Sequence, residues 1–283
     1  MTSSASRPSA SDADEGRGAS SIRLRADALT LAYDAYVVSR NLDLDLAAGE
    51  LTAIVGPNAC GKSTLLRALA RLHQPTEGVV LLDGADIAGM ATKRVARRVG
   101  LLSQSARVPD GMTVRDLVSR GRFPHQGLLS QWSGADEAAT VRAMELTGVA
   151  ELAHRDVDAL SGGQRQRVWL AMVLAQETPT ILLDEPTTYL DLAHQVEMLQ
   201  LCRRLNEEQD RTIVAVLHDL NQAARCATRL VVMHEGRVRA VGAPQDVLTA
   251  DLVGEVFGLD VVVVPDPVAG TPMVVPLHLG PVP

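Results

Sequence analysis

Apolar and polar residues alternate over 22–31 (IRLRADALTL) and 37–46 (VVSRNLDLDL), the period-two pattern of half-buried antiparallel strands. Leu51 to Val55 is instead continuously apolar and stands between Gly49 and Gly56, which predicts a short buried strand. From Lys62 to Leu72 the period lengthens, and Leu65, Leu66, Leu69 and Leu72 share one face of a predicted helix. Strands are expected at 79–82 and 99–102. Between about 106 and 178 helical periodicity dominates and strand-like runs are scarce. Buried strands are then predicted at 180–183, 213–217 and 230–233, with a long helix from about Leu192 to Glu208 among them. The Val-rich stretch 237–276, broken by Gly and Pro, predicts small strands and a short helix. The pattern is that of an α/β fold: a core with an antiparallel β portion and an inserted, mostly helical portion. No internal repeat is visible, so the chain reads as one unit and not a tandem pair.

Composition narrows the classes. The 283 residues suffice for a substantial core, 46% are apolar, and the net charge is −7. An acidic chain has no general electrostatic footprint for nucleic acid, so none is expected as a partner. Cys60, Cys202 and Cys226 lack metal-ligand spacing and read as reduced thiols. No run approaches the roughly 18 consecutive apolar residues of a spanning helix. Residues 1–20, rich in Ser, Ala and Asp without an apolar stretch, are expected to be a disordered tail and not a signal peptide.

Three segments carry candidate chemistry. After the strand ending at Val55 come Gly56, Pro57, Asn58, Ala59, Cys60, Gly61, Lys62, Ser63 and Thr64. Strand, Gly-rich turn and helix start are the setting of a phosphate-binding loop, whose backbone N–H groups and helix dipole converge on phosphate oxygens. Lys62 can bridge the β- and γ-phosphates and the Ser63 hydroxyl can ligate Mg²⁺. Ile181 to Glu185 then places Asp184 and Glu185 at the end of a buried strand, where α/β sheets hold ligands. Asp184 suits a hydrated Mg²⁺, and Glu185 suits a general base for an attacking water. Between them, Leu160-Ser161-Gly162-Gly163-Gln164 offers a hydroxyl and two Gly N–H groups at a helix start, a second anion nest. Alone it would be a Ser helix cap with a flexible Gly pair.

In this order and spacing, GPNACGKST, LSGGQ and ILLDE resemble the ABC family of ATPases, and the resemblance covers nearly all of residues 21–283. It implies a P-loop NTPase core of ABC type with an antiparallel β subdomain and a helical subdomain inserted at about 106–178. ATP and Mg²⁺ are the cofactors it implies. Thr64 would bond the α-phosphate. The Ser161–Gln164 nest would close on the γ-phosphate of ATP held by a second copy of the subunit. Gln104 would contact Mg²⁺ and the attacking water, His218 the γ-phosphate, and Asp191 would reach across the dimer. Tyr33 matches the aromatic that stacks on adenine, with Tyr36 as an alternative and packing as the plainer role. Ala59 departs from the Gly usual in the family, and its Cβ limits φ. Cys60 reads as a small space-filling residue in the loop.

The family implies a motor for a pair of transmembrane permease subunits, placed at the cytoplasmic face of the membrane. The segments GMTVRDLVSRGRFPHQ, DEPTTYLDLAHQ and VLHDLNQAARCATRLVVMHEGRV resemble importers of ferric siderophores, and more broadly of haem and cobalamin. A substrate-binding protein acting through the permease would then be a further partner. Arg120, Arg122, Phe123 and His125 are candidates for the permease-facing surface, against a solvated loop with one buried Phe. The rival reading is a soluble ABC ATPase for iron–sulfur assembly or DNA ends.

Overall fold

The computed structural model describes residues 22–103, 111–127, 132–188 and 190–277; the predicted tail at 1–20 and the candidate Gln104 lie outside them. The chain opens with β1 (Ile22–Tyr33) and β2 (Tyr36–Ala47), antiparallel from Tyr33↔Tyr36 to Ile22↔Ala47. Then follow β3 (Leu51–Val55), α1 (Lys62–Leu69), β4 (Glu77–Leu82), β5 (Ala85–Asp86), α2 (Thr92–Ala96) and β6 (Val99–Leu102). The next described residues hold α3 (Val114–Ser119), a 3-10 turn (Arg120–His125), α4 (Gly134–Leu146), two short 3-10 turns and α5 (Gly162–Ala175). The remainder is β7 (Thr180–Asp184), α6 (Leu192–Gln209), β8 (Thr212–Val216), α7 (Leu220–Cys226), β9 (Arg229–His234) and β10 (Arg237–Gly242). It closes with α8 (Pro244–Val247), α9 (Ala250–Phe257), β11 (Val261–Pro265) and β12 (Pro272–Pro276).

The strands form a four-stranded sheet, β2-β1-β4-β5, a six-stranded sheet, β10-β9-β3-β8-β7-β6, and the β11-β12 hairpin. Neighbours from β9 to β6 in the larger sheet run parallel, and β10 closes one edge antiparallel to β9. A parallel sheet is covered on both faces, and its strands read as unbroken apolar runs. Here successive residues feed two separate cores. Ala53, Leu183, Ala215 and Val232 face a cluster with α5, α6 and α7. Ile54, Leu182, Val216 and Val231 face a cluster with α1 and the inner residues of β1 and β2. Leu65, Leu66 and Leu69 are fully buried there, each contributing about 1.5–3 kcal/mol.

Helix α1 ends earlier than its apolar pattern predicts. Arg71 has φ +60°, and the N–H groups of Leu72 and His73 both return to the Arg67 carbonyl. Leu72 is therefore turned out and 70% exposed. Among the described residues no helix is long and apolar enough to cross a membrane.

Candidate active site

The parallel register decides where the chemistry collects. Ile54 and Asp184 both pair with Val216, so the C-terminal ends of β3, β8 and β7 stand level and adjacent. The loop to α1 leaves β3 there, Glu185 follows β7, and His218 follows β8. Loop backbone and sheet are in close contact: a Cβ on Gly56 would collide with the Met233 carbonyl oxygen on β9. Gly61 precedes α1 with φ +101°, a conformation that favours Gly. Ala59 also has positive φ, +60°.

An open cleft of about 280 Å³ is lined by Asn58 to Thr64 together with Tyr33, Tyr36, Val38, Glu185 and His218. Lys62 is 5% exposed, and its Nζ donates to the carbonyls of Gly56 at 2.8 Å and Pro57 at 2.7 Å. The Ser63 hydroxyl donates to Asp184 Oδ1 at 2.7 Å. Asp184 Oδ2 is buried with no hydrogen-bond partner. Burial, and then the neighbouring Glu185 charge, push the Asp184 carboxyl up from its ordinary value, against the Ser63 hydrogen bond. His218 Nε2 lies 2.7 Å from Glu185 Oε1, and Thr188 Oγ1 donates to Glu185 Oε2 at 3.2 Å. Glu185 itself has φ +52°, the kind of backbone strain that clusters at functional sites. Burial raises the Cys60 thiol, with Lys62 opposing.

Tyr33 lines the cleft at 43% exposure. Its ring packs on His73, with centroids 4.6 Å apart and planes tilted by 41°. Tyr36 is 70% exposed. No sequence motif marks His73 or Val38. Thr188 had one signal, its place three residues after Glu185 in the turn.

The second nest stands apart from this cleft. Ser161, Gly162, Gly163 and Gln164 begin α5 and are absent from the cleft's lining. The Ser161 hydroxyl accepts the Gln164 N–H at 3.2 Å, and Gln164 Oε1 accepts the Ser161 N–H at 3.1 Å, a capping box. Asp191 caps α6, accepting the His194 N–H at 2.9 Å, with its side chain 66% exposed.

The proposed surface residues divide differently from expectation. Arg122 is buried at 5% exposure and Phe123 is exposed at 57%. Nε of Arg122 donates to Asp136 at 2.9 Å, and its Nη1 donates to the Ala175 carbonyl and to Glu177. A buried guanidinium requires such partners, so Arg122 is an internal tie and not a surface group. His125 contacts the Gln176 carbonyl at 2.9 Å, and Arg120 is exposed.

Residues 39–188 match the family described as ABC transporter. The chain is 54% identical to the ferric enterobactin transport ATP-binding protein FepC of Escherichia coli, over 90% of this chain and 94% of that one. It is 49% identical to the petrobactin import ATP-binding protein FpuD of Bacillus anthracis, over 91% and 94% of the two chains. Among solved structures it superposes with TM-score 0.70 on the dimeric, post-hydrolysis ATP-binding cassette MJ0796 bound to ADP and Pi. That likeness has 28% identity and covers 78% of this chain and 98% of that one.

Proposed function

The chain belongs to the ABC transporter family, and from that premise we propose that it is the ATP-hydrolysing motor subunit of an importer of ferric siderophores. Ferric enterobactin transport and petrobactin import are named for relatives at about half identity over nearly the whole chain. The subunit works at the cytoplasmic face of the membrane, docked on transmembrane permease subunits and paired with a second copy. A substrate-binding protein delivers cargo to the permease.

One observation carries the catalytic reading: Ser63–Asp184 and Glu185–His218 meet beside the phosphate loop, at the ends of adjacent parallel strands. In this reading Lys62 exchanges its loop carbonyls for the β- and γ-phosphates of ATP. Backbone N–H groups of Asn58 to Thr64 surround the phosphates, and Tyr33 stacks on adenine. Ser63 and Asp184 fit a Mg²⁺ ion, because the pair offers a hydroxyl and a buried carboxylate oxygen with no other partner. The ion would neutralise charge on the phosphates. Glu185 accepts the proton of the attacking water, and His218 moves from Glu185 to the γ-phosphate. Turnover then comes from positioning and charge neutralisation. In this reading the Ser161–Gln164 nest and Asp191, which do not line the cleft, serve the partner's ATP.

Glu185→Gln tests this. The variant should bind ATP, elute as a dimer in ATP, and abolish uptake of radiolabelled ferric siderophore by cells that depend on it. A monomer in ATP would sink the shared-site reading, and undiminished uptake would sink the importer reading.

A further inference from the structure

The backbone carbonyls of Thr187 and Leu190, which follow Glu185, are tied to two helices by side-chain amides. Gln195, on the first turn of α6, donates from Nε2 to the carbonyls of Leu190 at 3.1 Å and Thr187 at 3.4 Å. Its Oε1 accepts from Gln222 Nε2 at 2.8 Å. Gln222 sits on the first turn of α7, four residues past His218. Both N–H groups of Gln195 are thus spent on carbonyls and its oxygen on Gln222. A flipped amide would set oxygen against two carbonyl oxygens, so one orientation alone satisfies the network. Each helix end is also fixed by a cap, Asp191 on α6 and Asp219 on α7. The amide pair therefore spans the backbone that carries Glu185 and the backbone that carries His218.

We infer that Gln195 and Gln222 are positioning residues for ATP hydrolysis, holding the Glu185 turn in register with the His218 helix. Neither lines the nucleotide cleft, so their effect falls on turnover and not on binding. Leu190 immediately precedes Asp191, so the bridge also reaches the residue to which the proposed function gives the partner's ATP. The inference rests on the reading of Glu185 and His218 as that pair.

The test is steady-state ATPase kinetics on the full chain. Gln195→Glu keeps the shape but cannot donate to the two carbonyls; Gln222→Met keeps the length but cannot donate to Gln195. In each, kcat should fall about tenfold while KM for ATP stays within about twofold and Tm changes little. The double variant Gln195→Glu/Gln222→Met should fall no further than the worse single one, because the bridge breaks only once. Unchanged kcat in both single variants overturns the inference, as does a fall in kcat that appears only together with a loss of Tm. Glu185→Gln is measured in parallel. If it still turns over, the reading of Glu185 has failed, and this inference with it. If it is arrested while both amide variants run at the wild-type rate, the positioning role alone has failed.

Discussion

At Ala59 a single methyl group sits where the backbone turns left-handed, at φ +60°. An L-residue there costs roughly 1–2 kcal/mol, which is why Gly is the easier choice at such a point. Ala59→Gly should leave ATPase activity equal or higher, with no weaker ATP binding by calorimetry. Ala59→Val should lose ATP binding, since a β-branched residue resists positive φ. A large loss of activity with Gly would mean that the loop is tuned to Ala. The substitution was legible as a departure in the sequence because the surrounding motif is so regular. The φ of +52° at Glu185 was not legible, for nothing in Asp-Glu-Pro forecasts it. The contact of His218 with Glu185 was equally hidden, because it depends on strand register and not on spacing along the chain.

Among elements, the strands announced themselves. A segment such as Ile181-Leu182-Leu183, apolar at every position, can serve two cores at once only in a sheet covered on both faces. The 3-10 turn at Arg120–His125 did not. Its three-residue period sends Arg122 inward and Phe123 out, the reverse of what residue polarity suggests. The Arg122–Asp136 pair that results joins this turn to the start of α4. The Ser133 hydroxyl, and after it Arg122, holds the Asp136 carboxyl below its ordinary 3.8. A folded-state value below the unfolded one stabilises the protein fully above the unfolded value and is lost as pH falls through the folded value. Asp136→Asn should cost about 2 kcal/mol at neutral pH, since Arg122 loses one charged partner and keeps Glu177. The gap to wild type should narrow as pH drops below 3.8. Urea unfolding across that range is the measurement, and equal stability at pH 7 would refute the role given to the pair.

Taken whole, the molecule keeps its chemistry and its core in the same sheet. Cys202 and Cys226 lie in the cluster under β3, β7 and β8, and burial pushes both thiols up to about 12. Neither should react with maleimide at pH 8 until the fold opens, so their labelling, followed by mass spectrometry against denaturant, should track global unfolding. Labelling of either thiol in native buffer at the rate of a free peptide would contradict this. The parallel sheet was legible from apolar runs and intervening helices, but the strand order was not, because it sets β3 beside strands from the far end of the chain. Leu51 pairs with Ile213, and Thr52 with Arg229. That order has a consequence in time. A ribosome adding about 5–20 residues per second needs on the order of ten seconds or more between making the phosphate loop and making the strands that brace it. Through that interval the nascent loop has no β8 or β9 behind it. The newborn chain acquires its grip on nucleotide only after β9 has been made.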